Sequence, residues 1–226
     1  ISNTGRIAAG EKSLGIYNTG GNVSQDGELF IGNSGIGIFS DGGNVQIGTS
    51  SDIRLGNIGA IGVYGRNSAI IQNNQANMQI GDESYGFVLE SGSVLTNNAV
   101  QTLGNKSILA YGTGNIVNTT SGTINVSGSD NIVFYSVNGG TVNNAGNITA
   151  GAGKSNIGIY NSMGTINNTG NIEVGDSVLA YDSDGLVDVI NSRYSVGIYG
   201  EESNVTNSGK LTIGENAVGL YVKNNT

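Results

Sequence analysis

The chain has 226 residues, 39 of them glycine, with no proline, cysteine, histidine or tryptophan and a net charge of −8. Disulfides, thiolate metal sites and imidazole general bases are therefore excluded, and an acidic chain of this kind is a poor fit to nucleic acid, whose partners neutralise phosphates with Lys and Arg. Charged residues are only 12 %, and aliphatic residues recur throughout, which argues for order over a solvated coil.

Read from the N-terminus, a short aliphatic-aromatic motif recurs: Gly15-Ile16-Tyr17, Gly37-Ile38-Phe39, Gly62-Val63-Tyr64, Gly86-Phe87-Val88, Leu109-Ala110-Tyr111 and Val133-Phe134-Tyr135. It continues as Gly158-Ile159-Tyr160, Leu179-Ala180-Tyr181, Gly197-Ile198-Tyr199 and Gly219-Leu220-Tyr221. Third positions are spaced 22, 25, 24, 23, 24, 25, 21, 18 and 22 residues apart. A Gly-x-Val-x-Asn motif follows the aromatic strand, as in Gly140-Thr141-Val142-Asn143-Asn144 and Gly164 to Asn168. An Asn-x-Gly-x-Ile-x-Val-Gly motif comes next, as in Asn144 to Gly151, Asn168 to Gly175 and Asn207 to Gly214.

Each motif alternates apolar and polar with the period of a strand and is bounded by turn residues. Three strands and three turns in about 22 residues leave no room for a crossover helix. A chain that coils, laying each strand on its counterpart one turn earlier, satisfies both spacing and hydrogen bonding. The expected fold is an all-β, right-handed parallel β-helix of about ten coils, the hand following the general preference of parallel crossovers.

Parity assigns the inward columns. In the aromatic strand they are Leu14/Ile16, Ile36/Ile38, Ile61/Val63, Ile108/Ala110, Ile132/Phe134, Ile157/Ile159, Val196/Ile198 and Val218/Leu220. The Asn-x-Gly strand contributes Ile7, Leu29/Ile31, Ile53/Leu55, Met78/Ile80, Ile124/Val126, Ile172/Val174 and Leu211/Ile213; the remaining strand adds Val23, Val45, Ile71, Ile116, Val142, Ile166 and Val205. Asn118, Asn144, Asn168 and Asn207 share one inward corner, where their amides can bond coil to coil. Gln101 falls in an inward slot meant for an aliphatic, and the pattern does not explain it.

The motif Asn168-Thr169-Gly170-Asn171-Ile172-Glu173-Val174-Gly175, set between strands of the Gly158-Ile159-Tyr160 type, resembles the passenger repeats of large type V autotransporter adhesins, in particular fusobacterial outer-membrane adhesins. The resemblance covers essentially the whole chain. It implies that residues 1–226 are one β-helical segment of a larger passenger domain. It further implies a place on the surface of a Gram-negative bacterium after export across the outer membrane, and adhesion to host or bacterial surface glycans or receptor proteins. No apolar run approaches the ~20 residues of a membrane helix, so the segment is not expected to be membrane-inserted; lacking an initiator methionine and signal peptide, it is read as a piece of something longer.

Candidate sites lie on the outside. The parity that buries Ile16 points Tyr17, Phe39, Tyr64, Tyr111, Tyr135, Tyr160, Tyr181, Tyr199 and Tyr221 outward, a column interrupted by Val88. Tyrosine suits contact with sugars and proteins, and a slot filled in every coil also suits packing along the sheet. The expected contact residues are Tyr111, Tyr135, Tyr160, Tyr181, Tyr199 and Tyr221, with Glu201 and Glu202 one coil from the shortest repeat. That repeat contains Asp182-Ser183-Asp184-Gly185-Leu186-Val187-Asp188, whose alternating carboxylates begin like a calcium loop without its distal glutamate. Asp182, Asp184 and Asp188 are the metal candidates, calcium the one cofactor option, and a charged or merely solvated turn the other readings.

Gly151-Ala152-Gly153-Lys154-Ser155 is no phosphate loop, since Ile148 stands where glycine is required and a strand follows. An enzyme would need two carboxylates flanking a cleft, for example Asp182 or Asp184 against Glu201 or Glu202. Repeats of 25 residues or fewer leave no long loops to wall such a cleft. A non-catalytic binding or spacer role is expected.

Overall fold

A computed structural model describes residues 1–74 and 78–224. Each coil runs through an aromatic strand, an asparagine strand and an Asn-x-Gly strand, and each kind stacks in parallel on its counterparts. Three nine-stranded sheets result, wrapped as a right-handed β-helix. The aromatic sheet begins at Leu14–Thr19 and ends at Val218–Lys223. The asparagine sheet runs from Ser2–Asn3 to Asn204–Asn207, and the Asn-x-Gly sheet from Arg6–Ala9 to Leu211–Ile213. At about 4.8 Å per rung the rod is roughly 40 Å long.

Among the described residues the rod has nine coils, against the about ten expected. Leu179-Ala180-Tyr181 copies the aromatic motif but forms no rung. Val178–Tyr181 pairs antiparallel with Val187–Arg193 in a separate two-stranded sheet. In the rod itself Tyr160 lies directly beside Tyr199. These two are 39 residues apart, and removing the 17 residues 178–194 leaves 22, an ordinary coil. Ser195 donates its N–H to Ser177 Oγ at 3.0 Å, so the two ends of the excursion meet. The short repeat is an inserted arm.

Inside, Ile38, Val63, Phe87, Ala110, Phe134, Ile159 and Ile198 stack in register and are fully buried. Where the column narrows to Ala110, the preceding slot, glycine in most coils, holds the buried Leu109. A larger neighbour thus keeps the packing dense. The Asn-x-Gly and asparagine sheets bury the expected aliphatics, with Ile7, Val205 and Leu211 only half-buried and Ile213 exposed in the end coils.

Parity fails in one place. Leu14 is exposed, Ile36, Ile61, Ile108, Ile132, Ile157 and Val218 are half-buried, and Val196 alone of this column is buried. Leu220, in the last rung, is also exposed. Strand pairing passes over the second residue of each aromatic strand, so Gly37 and Ile38 are buried consecutively and the alternation slips by one. A Cβ at Gly37 would meet the carbonyl oxygen of Gly62 at 2.5 Å, which explains the recurring glycine.

The Asn-x-Gly motif has a clear cause at its corner. Asn73, Asn97, Asn118, Asn144, Asn168 and Asn207 form a chain in which each side-chain amide donates to the next side-chain oxygen, at 2.7–2.9 Å. Asn144 and Asn168 also donate to the backbone oxygen two residues on, at Gly146 and Gly170. Ile47 interrupts the slot below Asn73, and Gln25 and Asn3 resume it with a 2.9 Å bond. A Cβ at Gly170 would come within 1.9 Å of the Gly146 oxygen, so only glycine fits beneath the ladder. Gln101 is fully buried and donates to the Val100 oxygen at 2.8 Å.

Candidate functional surface

Outward side chains of the aromatic sheet build the column the sequence anticipates. Tyr17, Phe39 and Tyr64 stack with centroids 5.5 and 5.2 Å apart. Val88 occupies the next rung. Tyr85, a strand-entry residue outside the expected column, partly bridges the gap by meeting Tyr111 at 6.1 Å. From there Tyr111, Tyr135, Tyr160, Tyr199 and Tyr221 follow at 5.3, 4.7, 5.0 and 4.9 Å. Such spacings are favourable for aromatic pairs. Tyr181 lies on the arm, outside this column.

The rings are also held by polar contacts. The Tyr160 hydroxyl donates to Glu201 Oε2 at 2.8 Å, and Lys223 donates to Glu201 Oε1 at 3.0 Å. Glu201 therefore belongs to the column, and these hydrogen bonds hold its carboxyl below the usual range. Glu202 follows in a left-handed corner, φ 50°, a backbone role that parity alone does not reveal. Tyr64 donates to Glu90, and this bond with partial burial pushes its hydroxyl up to about 12. Burial, with the Glu201 hydrogen bond second, raises Tyr160 as well.

Both tyrosines are therefore held neutral more firmly in the folded than in the unfolded chain, where ionisation falls at about pH 10. Their stabilisation is complete below that pH and is lost as pH rises through the folded values. The melting temperature is expected to stay level from neutral pH to about 10 and fall beyond it, with Tyr64→Phe softening the fall. Thermal scans paired with near-ultraviolet absorbance titration measure both effects.

The metal candidates all lie on the arm, and two of them, Asp182 and Asp188, use carboxylate oxygens locally. Asp182 Oδ1 accepts the backbone N–H groups of Asp184 and Leu186, capping the turn. Asp188 Oδ1 accepts those of Ile190 and Asn191, and the Asn191 side chain donates to its other oxygen. Among the described residues no three acidic side chains are grouped to hold a metal ion. Calcium and magnesium are accordingly expected to shift the melting temperature equally, through screening alone. A calcium-specific rise, absent from D182N/D184N/D188N, would establish the loop reading.

Sequence reasoning missed a second surface feature. On the Asn-x-Gly sheet, Arg6 and Arg54 lie over the Phe30 ring, 4.8 and 5.0 Å from its centroid. Both guanidiniums also face carboxylates, Glu28 at 3.6 Å and Asp52 at 2.7 Å. Adjacent rungs bring these residues together, so the signal was a register coincidence rather than a motif.

Fold and surface together define a parallel β-helical rod with stacked aromatics along one outer face and one lateral arm. Residues 149–226, about a third of the chain, match the family described as the BigA third pectate lyase-like domain; BigA is a bacterial surface protein. No curated protein and no solved structure matches the chain.

Proposed function

We propose that this chain is a non-catalytic segment of a bacterial cell-surface adhesin, exported across the outer membrane, that touches host or bacterial surface glycans or receptor proteins with the outside of its rod. The observation that carries this reading is the aromatic column, which presents partly exposed tyrosines in consecutive rungs from Tyr111 to Tyr221 on a scaffold that holds them fixed. Rigid amphipathic rings offer contact area at low entropic cost. The match of residues 149–226 to a domain of a surface protein supports the location. The non-catalytic reading is supported by the carboxylates themselves: Glu201 is engaged by Tyr160 and Lys223, and Asp182 by its own turn.

The test is whether the isolated segment binds epithelial or bacterial cells and competes with the surface-displayed protein. Y111S/Y135S/Y199S is expected to lose that binding while keeping its β-sheet circular dichroism. A second reading, a passive stalk presenting a tip elsewhere, is favoured by the contacts among the rings themselves. A folded segment that neither binds nor competes would establish it.

A further inference from the structure

The arm carries the most exposed aliphatic residues among the described residues. Ile190 is 93 % exposed, Val189 68 % and Leu186 66 %, while the rod interior holds its branched aliphatics nearly dry. Tyr181 stands directly opposite Val187 across the hairpin and is also exposed. A lone two-stranded hairpin is marginal in water, yet this one is fastened to the rod. Arg193 makes two hydrogen bonds to Asp130, at 2.7 and 2.6 Å. Ser155 Oγ donates to the Arg193 oxygen at 3.2 Å, and Ser195 Oγ to the Asp176 oxygen at 2.9 Å. An apolar surface held out in this way is a contact surface or an aggregation hazard.

Charge selects the occupant. Between residues 178 and 194 the chain carries Asp182, Asp184 and Asp188 against Arg193, and that cation is already neutralised by Asp130. The apolar strand is therefore accompanied by uncompensated negative charge. Anionic lipid and sulfated or sialylated glycans are repelled by it, and a second copy of this chain, itself at −8, is disfavoured. We propose that the arm is a docking element for a cationic protein, its exposed aliphatic side chains meeting apolar groups of the partner and its aspartates meeting lysine and arginine side chains around them. Apolar contact supplies the affinity, and the complementary charge supplies the approach rate and the choice of partner.

The arm deepens the contact role proposed for the rod and rests on it, but the two are separable by variant. The probe is a fluorescent peptide of alternating leucine and lysine, read by anisotropy against the purified segment, with a serine-lysine peptide as reference. V189S/I190S is expected to weaken leucine-lysine binding at least about tenfold, leave the weak serine-lysine binding unchanged, and melt with the parent. D182N/D184N, which keeps the capping oxygens, should weaken binding at low salt and flatten its salt dependence. Excising residues 178–194 should abolish the binding while the rod still folds. Equal binding by V189S/I190S overturns the proposal. Arm-dependent dimers in sedimentation, or arm-dependent capture by phosphatidylserine vesicles, would overturn it in favour of self-association or a membrane. Y111S/Y135S/Y199S should retain peptide binding, so failure of the column as an adhesive face leaves this test standing.

Discussion

Ile159→Asp is expected to prevent the rod from folding, or to leave it with most of its stability gone. Ile159 is fully buried, with Phe134 on one rung and Ile198 on the other. A carboxylate there must enter an apolar column without a cation or protein donors. Desolvating an unpaired charge costs several kcal/mol in a relaxed protein interior, comparable to the whole stability of a domain. The loss of aliphatic packing adds to that. Tyr160→Ser, one residue along, faces outward and removes two ring contacts, with Tyr135 and Tyr199, and the Glu201 hydrogen bond. It should cost about 2–4 kcal/mol by the usual worth of such contacts and leave the fold intact. Urea denaturation followed by circular dichroism measures both. A reversed order of severity would show that the aromatic column, rather than the aliphatic one, is the core.

The second large effect is expected at the asparagine ladder. Asn144→Leu fills a similar volume but takes away the oxygen that Asn118 donates to and the amide that donates to Asn168. Both neighbours are fully buried, where a polar group stripped of its partner costs roughly 1–3 kcal/mol. A loss of about 2–6 kcal/mol follows from two such groups. Asn143→Leu is the matched control. Asn143 belongs to an outward pair, accepting from Asn167 at 2.9 Å among exposed atoms, and surface changes of this kind stay within about 0.5 kcal/mol. A urea midpoint for Asn144→Leu indistinguishable from that of Asn143→Leu would reduce the buried ladder to a by-product of composition.

Much of this was legible because a solenoid writes its contacts into its spacing. Val142 and Ile166 lie beside each other for the same reason that they are 24 residues apart, and the ladder at Asn118, Asn144, Asn168 and Asn207 follows from one repeated position. What escaped were departures that leave the local pattern intact. Leu179-Ala180-Tyr181 has the composition and alternation of an aromatic rung. Only its partner, Val187–Arg193 in place of Tyr160 and its neighbours, reveals it as an arm. The slip at Gly37 was hidden because glycine carries no side chain to mark which way the position points. The left-handed φ of the exposed Glu202 also escaped, because a backbone conformation leaves no trace in a glutamate side chain. At Asp182 and Asp188 the sequence does not separate a turn cap from a ligand, because the atoms that cap a turn are those that bind a cation.

The stacking order of the three sheets also fixes how the molecule bears load. The first and last rungs lie at opposite ends of every sheet, and the backbone bonds between rungs run along the line joining them. Tension applied to the two ends of the chain therefore meets those bonds a few at a time, as in opening a zipper, and not all together as in shearing a lap joint. Coils should peel off singly from an end, each freeing about 80 Å of slack at the contour length of an extended chain. The sideways arm lies off this line, and its two ends, at Ser177 and Ser195, are joined within one rung. It is tied as well to Asp130 and Ser155 on the two preceding coils, so the rod can act as an extensible tether while its lateral feature stays whole until peeling reaches those coils.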